Sequence, residues 1–233
     1  MKFCVIGLNN IPVGKSNIKD PRLDQADKLV EAKKKVYAQA DILPEAEAVY
    51  ADAMLVHPDR FPDLILQDLE FVETRLSRAP EPAEQGALLK IKAALEAEKP
   101  MYKAGLSAEE IQALAAHAFT TNKPIVVAEA AELDAPDPLL IRAFRESGYI
   151  SFLTVGGKEN RAWPLRLGAT AWEAAGSIHT DIQKGFIRAE ITSFADFIEA
   201  GGETEAKRAG KVRLETKQYV MADYDLVNFR FNK

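Results

Sequence analysis

Gly14-Lys15-Ser16 follows a hydrophobic run, Lys2 to Gly7, and glycine, lysine and serine are the residue types with which a loop holds phosphate. In such a loop backbone N–H groups wrap one phosphate, the lysine meets its oxygens and the hydroxyl meets Mg²⁺, with the spacing Gly-x4-Gly-Lys-Ser/Thr. Here six residues separate Gly7 from Gly14, Asn9 holds the place of the first glycine, and Pro12 removes one donor. A phosphate also uses the N-terminus of a helix behind the serine. Pro21 comes five residues after Ser16 and disfavours helical geometry at Asp20, which leaves that helix little room. Two readings stand: Lys15 on phosphate with Ser16 on Mg²⁺, or a solvated loop at the end of a strand. The spacing favours the loop.

A second group of residues is basic: Lys207, Arg208, Lys211, Arg213 and Lys217. If the segment is helical, Lys207 and Lys211 share a face at i, i+4. The group suits contacts to RNA phosphates, or equally a solvated face paired with Glu203, Glu205 and Glu215. Trp163, beside Arg161, and Trp172 could offer stacking surfaces to bases, but burial in a core is the commoner fate of tryptophan. His179 and Asp181 have no nucleophile beside them and read as a structural turn. His57, His117 and His179 lie too far apart in sequence for a metal site, so no catalytic residue and no metal is assigned, beyond Mg²⁺ with ATP or GTP if a nucleotide binds.

These residues need elements to hold them. With 233 residues, 47% of them hydrophobic and 28% charged, the chain is long and apolar enough for one large or two modest folded domains. No apolar run is long enough for a membrane span and no signal peptide is evident, so a soluble, cytoplasmic protein is expected. The net charge of −5 argues against indiscriminate DNA binding. That excess lies before Tyr149, since 12 basic and 11 acidic residues follow from there on. Cys4, the one cysteine, excludes a disulfide framework and belongs in a buried strand.

Asp20-Pro21 reads as a helix start, with a helical face to about residue 35. Strands are expected at Val36–Leu43, Ala51–Val56 and Lys123–Ala128, the last buried and parallel. Ile65, Leu69, Val72 and Leu76 recur at coiled-coil spacing, Pro80 and Pro82 interrupt, and Leu88, Ile91 and Leu95 resume, which predicts an antiparallel helical hairpin. Ser107 to Glu110 is a capping box. Ala130–Pro138 is acidic and turn-rich, a domain boundary. A helix over 139–146 follows, then short strands, a helix at 172–178 and an alternating strand at 226–231.

From about Pro138 onward the chain resembles a known family. SFLTVG at 151–156, RAW at 161–163, GAT at 168–170, AAG at 174–176, IHTD at 178–181 and KGFIRAE at 184–190 occur in order, followed by Asp196-Phe197, Ala206-Lys207, Gly210-Lys211 and FRFN at 229–232. This is similar to the TGS domain that ends the YchF-type Obg-like P-loop NTPases. Upstream, DPRLD at 20–24, ADAMLV at 51–56, LQDLE at 66–70, ETRL at 73–76, LSAEE at 106–110 and Lys123-Pro124 resemble the same family more thinly. The resemblance implies α/β plus α+β architecture. A reduced Rossmann-like P-loop domain over 1–148, with a helical hairpin insertion at about 63–120, precedes a ubiquitin-like β-grasp (TGS) domain over 149–233.

It also implies a damaged nucleotide site. The family's first helix and switch I have no counterpart here. Its Asp-x-Ala-Gly motif falls near Asp41–Pro44, where the glycine is gone, and its Asn-x-x-Glu falls near Glu129–Glu132, where the asparagine is gone. Phosphoryl transfer needs these parts together. The expectation is a non-catalytic binding protein with a vestigial nucleotide site, acting on a ribosome, RNA or protein partner through the TGS domain. The alternative is a minimal Mg²⁺-dependent ATP- or GTP-binding protein or hydrolase using the altered loop.

Overall fold

The structure is a computed structural model that describes residues 1–232. Its elements begin with β1 (Lys2–Ile6), β2 (Gly14–Ile18), α1 (Pro21–Leu29), β3 (Lys34–Val36), β4 (Ala38–Leu43) and β5 (Ala53–Val56). Helices α2 (Phe61–Leu76), α3 (Pro82–Glu96) and α4 (Ala108–Ala113), strand β6 (Ile125–Val127) and helix α5 (Pro136–Glu146) follow. The remainder comprises β7 (Tyr149–Thr154), β8 (Glu159–Arg166), α6 (Ala171–Ile178), α7 (Thr180–Lys184) and β9 (Phe186–Thr192). Helices α8 (Phe194–Ala200) and α9 (Glu203–Arg208) and strands β10 (Arg213–Glu215) and β11 (Leu226–Phe231) complete it. Among the described residues no helix is long and apolar enough to cross a membrane.

Two compact units share these elements. One consists of Met1–Ser16 with Ala40–Ala143, the other of Asn17–Gln39 with the chain from Phe144 on. The chain passes from the first to the second within β2 and returns within β4.

The first unit is built on a sheet of order β2-β4-β1-β5-β6. β1 runs parallel to β4 (Phe3↔Ile42) and to β5 (Cys4↔Met54), and β5 parallel to β6 (Leu55↔Val126). Unbroken hydrophobic runs such as FCVI and AMLV suit strands buried on both faces. Cys4 is fully buried among Ile6, Met54, Val56 and Ile125, as the sequence led one to expect, and burial pushes its thiol up to about 11. The helices form a second core in which Val72, Leu88 and Ile91 are wholly enclosed. Arg75–Glu84 and Glu73–Lys92 bridge α2 to α3 in opposite senses along the two helices, so the pair is antiparallel. Pro82 opens α3 at its first turn and Ser107 caps α4 through a reciprocal bond with Glu110.

The second unit carries a sheet of order β10-β9-β11-β7-β8-β3. β7 and β8 form a hairpin over six paired positions, and β11 is antiparallel to β9 along its whole length. Against β7, in parallel, β11 pairs only at Leu226↔Leu153. α6, capped by Thr170 and Glu173, lays Ala171, Ala174 and Ala175 on the sheet beside Phe152, Ile191, Val227 and Phe229. Residues 17–39 belong here through specific bonds: Asn160, fully buried, donates to Asp27 Oδ1 (2.7 Å) and to the Val30 carbonyl (2.6 Å), and β3 pairs with β8.

Two expectations change. Val36–Leu43 is not one strand: it divides at Tyr37 into β3 and β4, which join different sheets, and the Tyr37 hydroxyl is held by Asp24. The loop expected over 8–16 ends at Val13, because β4 offers an adjacent strand position that Gly14–Ile18 fills as the sheet's outer strand.

Candidate functional site

β4, β1, β5 and β6 are parallel, so their carboxyl ends lie along one edge of the sheet, where sheets of this kind receive ligands. The loop after β1 starts there. Gly7 has φ +71°, and a Cβ on it would lie 2.8 Å from Arg60 Cγ and 3.0 Å from His57 Cβ. Arg60 itself is held by Glu45 (2.9 Å) and Asp63 (3.1 Å). Leu8 and Ile11 are buried, and Asn10 Nδ2 donates to the Leu133 carbonyl (2.6 Å), pinning the loop at both faces.

Gly14, Lys15 and Ser16 lie in β2, with Lys15 exposed. Two more strand residues follow Ser16, and the next helix starts only at Pro21, capped by Asp20, which accepts from the Arg22 N–H (3.0 Å). The lysine and serine therefore extend along a sheet edge instead of opening a helix. Asp20 serves its own unit: burial alone would raise its carboxyl, but hydrogen bonds from Arg22 and the charge of Arg145 outweigh this and hold it below the usual carboxylate range.

The remaining nucleotide-site positions are dispersed. Asp41 pairs with Lys2, at the amino end of β1, roughly 13–16 Å of strand away from Gly7 at ~3.3 Å per residue. Glu129 and Glu132 form a capping box, and Glu132 is buried under Arg142, which donates to it at 2.9 and 2.5 Å and to the Val127 carbonyl at 2.7 Å. Those bonds hold the Glu132 carboxyl below its ordinary range. No group of three or more metal-ligating side chains occurs among the described residues.

In the second unit α9 carries Lys207 and Arg208, but Lys211 follows the helix, so it does not share a helical face with Lys207. Gly210, at φ +70°, ends that turn, and Lys211 bonds Asp196 (2.9 Å) on α8. Arg213 is held by Glu215 (3.2 Å) and the Tyr219 hydroxyl (3.0 Å), and Arg208 stands 3.9 Å from Glu205. Lys207 and Lys217 remain without an ion pair among the described residues. Trp163 is half-buried, stacked on Phe152, with the Arg161 guanidinium 4.0 Å over its ring. Trp172 is 44% exposed, against the expectation of core burial, because α6 turns its alanines and not its tryptophan to the sheet. His179 caps α7, its Nδ1 accepting from the Asp181 N–H (3.1 Å), a structural turn.

A family model, YchF-GTPase_C, described as a protein of unknown function (DUF933), matches residues 149–232. The Haemophilus influenzae ribosome-binding ATPase YchF is 34% identical over 233 residues, a match that takes in 73% of this chain and 64% of that protein. The chain belongs to the YchF family. Its similarity to the Escherichia coli O157:H7 ribosome-binding ATPase YchF rises to 51% over 106 residues, 43% of this chain and 29% of that one. The structure of the Schizosaccharomyces pombe YchF GTPase shares the fold with a TM-score of 0.71 at 19% identity, covering 99% of this chain and 97% of that one. The chain thus spans somewhat less than two thirds of the H. influenzae YchF it matches.

Within this YchF-family chain the groups expected around a Mg²⁺–nucleotide do not converge: Lys15 and Ser16 are strand residues, Asp41 is at the wrong end of the sheet, and Glu132 is committed to Arg142. What the sequence did not disclose is the Asp20–Arg22–Asp223 chain of ion pairs, with the Arg22 guanidinium 3.5 Å over the Tyr224 ring. No local pattern signals it, since the partners are about 200 residues apart in sequence.

Proposed function

We propose that this YchF-family chain is a cytoplasmic ribosome-binding protein that works through a TGS-like β-grasp domain over 149–233 and does not transfer phosphoryl groups. The observation that carries the second half is the extended conformation of Lys15 and Ser16, with the next helix beginning only at Pro21. A phosphate there meets neither a ring of N–H groups nor a helix N-terminus. The first half rests on the names of the YchF relatives, which call them ribosome-binding. The β7–β8 hairpin, the crossing helix α6 and the return of β11 parallel to β7 support the β-grasp reading. Residues 1–148 are read as the reduced nucleotide-binding domain with the α2–α3 hairpin as its insertion.

The test has two arms. In the first, non-hydrolysable ATP and GTP analogues with Mg²⁺ are titrated calorimetrically into the chain and into Lys15→Ala. No heat up to millimolar analogue is expected; micromolar binding abolished in Lys15→Ala would restore a nucleotide switch. In the second, the chain is sedimented with ribosomes over a range of salt. Binding that weakens with salt and falls further in Lys207→Glu/Lys217→Glu is expected. No co-sedimentation at low salt would end the ribosome reading.

A further inference from the structure

A slot runs beside β11. Because β11 pairs with β7 at Leu226↔Leu153 alone, the two strands part beyond that point, and a cleft of about 490 Å³ opens between Val227–Phe231 on one side and Thr154–Gly157 on the other. Its walls come from both faces of the sheet: Ile178 and Ile182 from the α6–α7 side, and Thr192 and Phe197 from the opposite one. A cleft lined from both faces lies along a strand's edge, not on a face.

The edge is chemically defined. The Leu153 N–H donates to the Asp225 carbonyl (2.8 Å), which fixes the phase of β11: the backbone groups of Asp225, Val227 and Phe229 aim toward β7, and those of Asn228 and Arg230 toward β9. Past Leu153 no strand receives them. Thr192, 4% exposed, lines the same slot, and its hydroxyl has no hydrogen-bond partner among the described residues. The slot thus offers alternating backbone donors and acceptors over Val227–Arg230, up to the register shift at Arg230/Phe231, about 13 Å at ~3.3 Å per residue, between two apolar walls.

We infer that this slot is a binding site for an extended peptide of four or five residues, which adds a strand between β11 and the β7–β8 turn. An extended peptide is the one ligand class whose donors and acceptors repeat at the period of the open edge, with successive side chains directed to the two faces. The site uses neither Lys15 nor Lys217, and of the basic residues only Lys207 lines it; its test, at Asn228 and Phe229, therefore stands apart from the ribosome test.

The experiment begins with the free protein. Amide exchange followed by NMR is expected to show the Phe229 N–H exchanging at least about ten-fold faster than those of Asn228 and Arg230, for want of one bond. Equal protection would mean the edge is closed and would overturn the proposal. A phage library of random heptapeptides is then panned on the whole chain and on Asn228→Trp, whose indole fills the slot mouth; a thermal melt confirms that the variant folds. The best peptide is titrated calorimetrically in native form and with alternate backbone nitrogens methylated. Binding lost in Asn228→Trp, weakened about ten-fold or more by methylation in one phase only, and accompanied by protection of Phe229, is the expected result. No enriched peptide, or equal affinity after methylation in both phases, would overturn it. So would a dimer of the chain abolished by Asn228→Trp, since a second copy would then fill the slot.

Discussion

At Gly7 the backbone is left-handed and the side chains of Arg60 and His57 close over it, so the position tolerates no Cβ without displacement. Gly7→Ala is expected to cost about 1–3 kcal/mol, read as a lower urea midpoint. Glu84 answers to pH instead. It is hydrogen-bonded by Arg75 (2.5 and 2.8 Å) and by His117 (2.8 Å), which against the opposing effect of burial bring its carboxyl from the ordinary 4.5 to about 2. A depressed carboxyl contributes stability that is complete above its unfolded value near 4.3 and is lost as pH falls through the folded one. Glu84→Gln is expected to be less stable at pH 7 but to lose less between pH 4.5 and 2, followed as urea midpoint against pH. Residues whose role is local were legible in the sequence: Asp20 as a cap, Ser107 with Glu110 as a capping box, His179 as a turn. Lys211 and Trp172 were not, because their surroundings depend on where a helix ends and which face it buries, and neither is written in nearest neighbours.

Among elements, the helical pair α2–α3 followed from apolar spacing and two prolines, since its contacts recur along each helix. Leu88, fully enclosed between these helices, is the position to test: Leu88→Ala is expected to cost about 2–5 kcal/mol by urea unfolding, through lost transfer energy and a residual cavity. Strand β2 shows the opposite case. Gly14, Lys15 and Ser16 have poor strand propensity and the types of a phosphate loop, yet the position beside β4 makes them a strand. Being exposed and held by backbone pairing, Lys15 contributes little to the fold; Lys15→Ala is expected to shift stability by no more than about 0.5 kcal/mol, which keeps it a clean control in nucleotide titration.

For the whole molecule, a mixed α/β fold was readable from the order of motifs, but the assignment of residues 17–39 to the second sheet's unit was not. That segment reads as a helix and a short strand of the domain around it, and contacts distant in sequence reveal the other allegiance: Asn160 with Asp27 and Val30, Arg22 with Asp223, and the β3–β8 pairing. Residues 149–233 expressed alone are therefore expected to lack a cooperative urea transition, with β8 left as an open edge, and a synthetic peptide of residues 17–39 is expected to restore one. The same pairing sets an order of events during synthesis. Strand β3 is made about 125 residues before its partner β8, with all of Ala40–Ala143 between them, so at ~5–20 residues per second β8 follows about 6–25 s later. By the end of that interval the first unit has every residue it needs while α1 and β3 still wait unpaired, so the first unit is the half that can be finished first.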